Sequence, residues 1–380
     1  MMRDVVDHGS LGVYLTGEES DGRTLVVVFL RGGADALSLV VPVFEDAYYR
    51  ARPRLGIRAK GAIALDERFS IPRRMAPLEP LFREGELAVV HAAGSEEDSR
   101  SHFEAQDFME HGGLEAGGWL GRFLRFHEGR SGSPLSAVAF GTTAPESLRG
   151  APATTVIESL AEFAVPEGMQ SLLEGLGKLY GLDPVVLGPR GEQTMRALRS
   201  LATLAENRNA PPRNGVVYGD DAFSRSLAQA ARLIRSGLGV EAITVDLHGW
   251  DSHLTQETLI EPLMEHLASG LAAFRRDLGE RIATTSVVVM SEFGRRLREN
   301  SAFGTDHGRA GVMFVLGGGT PGGGNVIVDW PGLEDDQLEG PGDLRVTTNY
   351  RDVLWSVLGR HRKCDPERVF PGHTLRPAAV

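Results

Sequence analysis

Five short runs of β-branched and other apolar residues recur along the chain, and they constrain its fold more than any other feature. Continuous apolar runs of this length are typical of strands buried on both faces, as in a parallel sheet covered by helices. The runs are TLVVVFL (24–30), LAVVHAA (87–93), AITVDL (242–247), SVVVMS (286–291) and GVMFVLGGG (311–319). Because helical stretches separate them, we predict an α/β fold, a three-layer sandwich with a mostly parallel central sheet.

An apolar stripe at helical spacing precedes the fourth run. Its members are Leu259, Leu263, Leu267, Leu271, Phe274 and Leu278. Pro262, near its start, marks either the first turn or a kink. Between about 125 and 235 the chain becomes loop-rich and helical, with the breaker NAPPRNG at 209–215. We predict a single domain over residues 1–380, with a helical cap insertion at about 125–235.

Composition narrows the classes of partner. The 380 residues are 42% hydrophobic and carry a formal net charge of −11 without a long basic run, so nucleic acid and anionic membranes are poor partners. The lone cysteine, Cys364, excludes a cysteine-based zinc site, so any metal is held by His, Asp and Glu. The polar N-terminus lacks a secretion signal, and no apolar stretch reaches the roughly 20 residues of a membrane span. These features predict a cytoplasmic protein.

Each conspicuous polar motif lies at or just beyond the end of a predicted strand, or just before the next one. In open α/β sheets ligands bind outside the carboxyl ends of the strands, so the motifs are candidates for one site. The motifs are RGGAD, DSRSHFEAQ, GWDSH, SEFGR and GTDHG. Their candidate metal ligands are Asp35, Asp251, His253, Glu292, Asp306 and His307, and their candidate catalytic residues are Ser99, Arg100, Ser101, His102 and Arg295.

The first two motifs each allow two interpretations. In RGGAD, Asp35 either faces the crevice or caps a following helix. In DSRSHFEAQ, Ser99 or Ser101 lies at a helix start, which favours anions and suits a nucleophile toward a phosphate or sulfate ester. Arg100 can pair with the oxygens of that anion. The alternative is a plain capped helix, with His102 packed against the sheet.

GWDSH is the more specific motif. Residues two apart share a face in an extended segment, so Asp251 and His253 can bind one ion. His248 is a spare candidate, although we favour a hydrogen-bonded histidine near the core for it.

The last two motifs add further acids and bases. In SEFGR, Glu292 takes a ligand position and Arg295 either contacts an anionic group or pairs with a neighbouring acid. In GTDHG, Asp306 and His307 suit direct ligation or a pairing in which the acid fixes the imidazole tautomer.

Together the motifs resemble a large bacterial family catalogued as domain of unknown function 1501. The resemblance rests on VVVFLRGGADALSLVVP, SRSHFEAQDFME, GWDSH, VVVMSEFGR and GTDHG, and it extends from about residue 24 to VFPGH near the end. The family is grouped with the alkaline-phosphatase and sulfatase superfamily. The resemblance therefore implies an alkaline-phosphatase-like core, a metal site at the strand ends and a nucleophile at a helix start.

The resemblance also implies roles for single residues. Asp35 resembles the metal aspartate after the first strand, and Ser101 or Ser99 lies where the nucleophile helix begins. The pair in GWDSH resembles the acid and histidine of one metal. Glu292 replaces the metal aspartate of the sulfatase SDHG segment, and His307 matches the later ligand histidine, although GTDHG can instead be aligned with that segment.

The chain departs from the superfamily pattern at two points. Phe293 stands where this alignment expects a metal-binding histidine or asparagine, which argues against a full two-metal centre. No cysteine lies near the nucleophile position, which excludes the modified-cysteine mechanism of sulfatases. Many relatives carry a twin-arginine export signal, and this chain shows none.

Two functions follow as hypotheses. The first is a metal-dependent hydrolase or transferase of phosphate or sulfate esters, with one or two divalent ions, a serine nucleophile and a small anionic or sugar-ester substrate. Zinc or manganese suits the ligand set, with calcium or iron as alternatives. The second is a non-hydrolytic binding or accessory protein that keeps the fold and a degenerate metal site. Phe293 and the missing histidine motivate the second.

Overall fold

The computed structural model describes residues 22–130, 133, 135–160, 175, 178, 191, 195, 211–376, 378 and 380. The strands are β1 (Thr24–Arg31), β2 (Val41–Pro42), β3 (Ala62–Ala64), β4 (Phe69–Pro72), β5 (Leu87–Gly94), β6 (Ala137–Phe140), β7 (Thr155–Ile157), β8 (Ala242–His248), β9 (Thr285–Met290), β10 (Arg295–Glu299), β11 (Thr305–His307), β12 (Gly311–Gly317), β13 (Val326–Ile327) and β14 (Thr348–Asn349). The helices are α1 (Ala36–Leu39), α2 (Asp46–Ala51), α3 (Glu79–Arg83), α4 (His102–His111), α5 (Trp119–Phe126), α6 (Ala222–Ser236), α7 (Gln256–Leu278), α8 (Tyr350–His361) and α9 (Pro366–Val369).

All five predicted runs form strands of one central sheet. Within the described residues the strand order is β13-β5-β12-β9-β1-β8-β6-β7, and β14 also pairs with β5. Strand β1 is parallel to both β8 and β9, and β6 is parallel to β7 and β8. Strand β12 runs antiparallel to β5 and β9. The prediction of an α/β fold with a large, mostly parallel sheet is therefore confirmed, with β12 as the reversed strand.

The sheet is covered on both faces because successive side chains of a strand point to opposite sides. On β1, Val26 and Val28 belong to one core with residues of α6 and α7. Leu25 and Val27 belong to a second core with residues of α4, α5 and α8. Burying one such side chain fully contributes about 1.5–3 kcal/mol. The apolar runs thus become strands because both of their faces are buried.

At the start of helix α7, the residues that face the core differ from those of the predicted stripe. Ile260 and Met264 face the core there, whereas Leu259 is 42% exposed. From Leu267 onward the predicted positions are buried as expected. The helix continues through Pro262, which lies on its exposed side. No helix in the described part of the chain is both long and apolar enough to span a membrane.

Residues 161–210 of the predicted cap insertion, apart from 175, 178, 191 and 195, lie outside the described residues. The described parts that flank this segment belong to the sheet and its cover. Strands β6 and β7 extend the sheet beyond β8, and α6 packs against α7.

His91 of β5 is fully buried on the sheet, beneath Trp330 and Phe69. Its Nε2 lies 3.0 Å from the Val40 carbonyl, and its Nδ1 accepts from the Ala92 N–H at 2.7 Å. Burial lowers the pKa of His91 to about 4, and protonation would also set an Nδ1 proton against the Ala92 N–H. The folded protein therefore holds this imidazole neutral.

We predict that His91→Gln makes stability less sensitive to acid. The folded pKa of about 4 lies below the unfolded value of about 6.5, so the stability is present above pH 6.5 and is lost as pH falls toward 4. Between pH 7 and pH 5 this single group accounts for about 2 kcal/mol of lost unfolding free energy. Urea denaturation at the two pH values measures the difference, with the exposed His248→Gln as control. An equal acid-induced loss in His91→Gln and wild type would contradict it.

Candidate metal centre

Three histidines and one aspartate converge at the carboxyl edge of the sheet. Asp251 and His253 follow β8, His307 ends β11 and His102 begins α4. Asp251 Oδ1 lies 3.2 Å from the Nε2 atoms of both His253 and His307, and Asp251 Oδ2 lies 3.5 Å from His102 Nε2. One ligand atom from each of His102, Asp251 and His307 lies within 4.8 Å of the others. We call these four residues the metal group.

The histidines of the metal group turn their Nε2 atoms inward because acceptors outside the group hold their Nδ1 atoms. His102 Nδ1 lies 2.9 Å from Glu292 Oε1, and His253 Nδ1 lies 3.3 Å from Asp306 Oδ1. His307 Nδ1 lies 2.8 Å from the backbone carbonyl of Arg100. An Nδ1–H donated outward leaves the Nε2 lone pair free to bind a cation.

Two observations indicate that the metal group fits a cation. The Nε2 atoms of His253 and His307 are only 2.9 Å apart, so two lone pairs face each other unless a proton or a cation lies between them. His102 Nε2 is buried without a hydrogen-bond partner among the described residues. Burial lowers the pKa of His307, which favours the neutral imidazole that binds metals. The hydrogen bond to Glu292 raises the pKa of His102.

Glu292 and Asp306 were both predicted as ligands, and the structure places each one hydrogen bond away from the centre. Glu292 is buried, and its Oε1 accepts from Gly32 N, His102 Nδ1 and Gln106 Nε2 at 2.8–2.9 Å. Asp306 accepts from His253 and Asn300. Their contacts orient two imidazoles of the metal group.

Asp35 is not brought to the metal group. It is fully buried and caps α1, as the alternative interpretation predicted, with Oδ1 accepting from Leu37 N. Arg52 donates to both of its oxygens at 2.6 and 3.0 Å, and Ser38 and Gln256 donate to Oδ2. Burial alone would raise the pKa of Asp35, but Arg52 and these donors lower it. The carboxylate therefore has no oxygen free for a metal.

The predicted anion-binding arginines have other roles. Arg295 is buried and donates to Asp251 Oδ1 at 2.6 Å. Burial alone would raise the pKa of Asp251, but Arg295, aided by His307 and His253, lowers it to about 2. The guanidinium of Arg100 pairs with the buried Asp343. Both guanidinium groups are thus paired with carboxylates of the protein.

The two candidate serines differ in their surroundings. Ser101 is the N-cap residue of α4, and its hydroxyl makes no capping hydrogen bond. The Ser99 hydroxyl donates to Glu104 and accepts from the Ser101 N–H. Ser101 therefore presents the less committed hydroxyl, directly before His102.

Sequence reasoning missed two residues that support the site. Phe293 was interpreted as a missing ligand, yet it is buried with its ring centre 5.0 Å from that of His102 and 4.8 Å from that of His307. It packs against both imidazoles. Gln106 lies one turn after His102 on α4 and donates to Glu292 at 2.8 Å. The spacing of four residues in SHFEAQ was the available signal, because such residues share a helix face.

Glycines in the motifs allow the site loops to approach closely. Gly32 has φ +120°, and a Cβ there would lie 2.5 Å from the Asp251 nitrogen. A Cβ on Gly304 would lie 2.2 Å from the carbonyl carbon of His253. Both glycines therefore set the position of the GWDSH loop.

We predict that Gly304→Ala distorts the metal group. The added Cβ must displace the His253 backbone, which costs about 1–3 kcal/mol of unfolding free energy and weakens metal binding. The matched control is Gly61→Ala, where an added Cβ meets no atom within 4 Å. Denaturation and metal titration of the two variants measure the difference. Equal stability and equal metal affinity in the two variants would contradict the prediction.

Comparison with known proteins bears on the C-terminal half of the chain. A search of curated proteins gives no match. Residues 191–371 match the model of a family described as "Protein of unknown function (DUF1501)". The matched segment contains GWDSH, SEFGR and GTDHG, whereas RGGAD and DSRSHFEAQ precede it. This segment, just under half of the chain, is similar to the DUF1501 family.

Proposed function

We propose that the protein is a divalent-metal-dependent hydrolase or transferase of phosphate or sulfate esters. The observation that carries the proposal is the convergence of three imidazole nitrogens and one carboxylate. Ligand atoms about 2.0–2.2 Å from a tetrahedral ion lie roughly 3.3–3.6 Å apart. The observed separations of 2.9, 3.2 and 3.5 Å are close to that spacing.

The ligand types favour particular ions. Imidazole suits zinc and iron and carboxylate suits manganese, whereas calcium takes oxygen ligands almost exclusively. Three nitrogen donors and one carboxylate therefore argue for zinc first and against calcium. We propose one ion held by His102, Asp251 and His307, with His253 Nε2 beside it at 2.9 Å from His307 Nε2.

The start of α4 supports an anionic substrate. The first N–H groups of this ten-residue helix have no partner within it, and the helix dipole adds positive potential. His102, the first residue of α4, belongs to the metal group, so an oxyanion bound there lies beside both.

Each side chain then has a defined role. A bound divalent ion supplies a Lewis acid for the ester oxygen. Ser101 Oγ attacks the phosphorus or sulfur atom and loses its hydroxyl proton, while the ester bond breaks and the alkoxide leaves as the alcohol with that proton. Water, or an acceptor alcohol in a transferase, then takes the phosphoryl or sulfuryl group from Ser101 and returns a proton to its oxygen. Glu292 and Asp306 fix the tautomers of His102 and His253, and Arg295 keeps Asp251 ionised.

One observation favours a second candidate, a non-hydrolytic protein that binds an anion at the metal. Both arginines predicted to clamp the oxyanion are paired internally, Arg100 with Asp343 and Arg295 with Asp251. A site without a free arginine can hold an anion while stabilising the transition state poorly.

We predict one equivalent of zinc or manganese per chain in protein purified without chelator. Asp251→Asn removes the carboxylate ligand and should abolish stoichiometric binding. Glu292→Gln leaves the ligands in place but weakens the hydrogen bond that orients His102, so metal affinity should fall about 10–100-fold. Elemental analysis and metal titration measure both, with the exposed Asp336→Asn as control. Full metal content in Asp251→Asn would refute the proposed centre.

We predict that the metal-loaded protein hydrolyses aryl phosphate or aryl sulfate esters through Ser101. Ser101→Ala should lower kcat by at least about 10³-fold. Ser99→Ala is the matched control and should retain activity, because its hydroxyl is engaged with Glu104. Absence of turnover with every added divalent ion would reject the hydrolase and favour the binding protein. Full activity in Ser101→Ala would show that Ser101 is not the nucleophile.

A further inference from the structure

Two strained residues lie beside the metal group. Thr255 has φ +44° and Phe303 has φ +61°, a region that β-branched and bulky residues rarely adopt. Their loops are joined, since Thr255 N donates to the Ala302 carbonyl at 3.0 Å and Gln256 N donates to the Phe303 carbonyl at 2.8 Å. Strain of this kind persists where the surroundings enforce it and is concentrated at functional sites.

The strained loops expose apolar side chains next to the metal group. Leu254, directly after His253, is 59% exposed. Phe303, four residues before His307, is 43% exposed. We call these two side chains the apolar crest.

A cavity of about 300 Å³ lies between the start of α7 and the segments around residues 54–57 and 72–74. Arg54 joins the two features, since it lines the cavity and its guanidinium carbon lies 4.2 Å from the centre of the Phe303 ring. The lining of the cavity is mixed. Its apolar residues are Leu55, Ile57, Pro72, Ile260 and Met264, and its charged residues are Arg54, Arg73, Arg74, Glu257 and Glu261.

The floor of the cavity is connected to the loops of the metal group. Gln256 lines the cavity, and its Oε1 accepts from Ser252 Oγ at 3.0 Å and from Thr305 Oγ1 at 2.5 Å. Ser252 lies between two members of the metal group, and Thr305 lies two residues before His307. The cavity, the crest and the metal group therefore form neighbouring parts of one region.

We propose that the crest and the cavity bind the apolar part of the ester substrate, with its anionic head at the metal group. This inference rests on the proposed function and narrows it to phosphate or sulfate monoesters of long-chain or aryl alcohols. The apolar side chains of the crest and of the cavity match such a group. The lining residues Ser38 and Gln256 already donate to Asp35. Two exposed side chains are too small an area for a stable protein interface of about 1,600 Å².

The test uses alkylphosphonates, from methyl to octyl, because their P–C bond resists hydrolysis. Calorimetry on the zinc-loaded full-length protein measures each affinity without requiring turnover. Affinity should rise about fourfold with each added methylene until the apolar region is filled.

Variants test whether the crest and the cavity cause the gain in affinity with alkyl length. Leu254→Asn and Phe303→Asn should weaken octylphosphonate binding about tenfold and leave methylphosphonate unchanged; asparagine tolerates the positive φ of residue 303. Met264→Trp fills the cavity, so the gain in phosphonate affinity should stop at a shorter alkyl length. Leu114→Asn, at an 89% exposed position in another loop, is the control and should bind both ligands as wild type.

The outcomes separate the two proposals. Methylphosphonate binding without any gain from chain length overturns the apolar subsite and leaves the metal centre standing. A chain-length gain that depends on the crest, in a protein that hydrolyses no ester, supports the subsite and overturns the hydrolase. Failure of every phosphonate to bind overturns both.

Discussion

The buried guanidinium of Arg295 is the interaction on which the rest of the site depends. It donates to the backbone carbonyls of Gly32, Gly33, Trp250 and Thr305 and to the carboxylate of Asp251. Burying a charge costs several kcal/mol unless it is paired and hydrogen-bonded. Here the acceptors come from three separate motifs, so the cation is stable only when those loops meet. Folding of the loops and formation of the metal group are therefore one event.

A second buried ion pair supports the same loops from below. Arg52 and Asp35 are completely buried against each other, and Arg52 also donates to the carbonyls of Leu297 and Arg296 on β10. Gln256 connects Asp35 to Ser252 and Thr305. Removing one partner would leave an uncompensated buried charge, which typically costs 3–5 kcal/mol. The conspicuous acid of the first motif thus stabilises the site without entering it.

The sequence predicted the sheet and a shared site for five motifs, because both follow from local patterns: apolar runs form buried strands, and their carboxyl ends share an edge. It did not predict which acids face the centre. By residue type and position, three acids look like ligands. In the fold each contacts another side chain instead: Asp35 contacts Arg52, Glu292 contacts His102, and Asp306 contacts His253. The same holds for Phe293, whose packing against two imidazoles depends on the folded loops. Spacing along the chain does not reveal contacts between distant segments. It is informative where both residues lie on one helix, as His102 and Gln106 do on α4.

The charge balance of the metal group has a consequence for its ligand. Among the described residues, Asp251 is the carboxylate that faces the Nε2 atoms of the three histidines, and Arg295 pairs with it at 2.6 Å. Glu292 and Asp306 lie behind the imidazoles, beyond direct contact with an ion held by the Nε2 atoms. Within direct contact, a divalent ion there would meet a carboxylate that is already paired with Arg295, and the α4 N-terminus adds positive potential. An anionic oxygen of the ligand would meet this ion and the helix N-terminus at close range, which is the physical reason we propose a phosphate or sulfate group in place of a neutral ester.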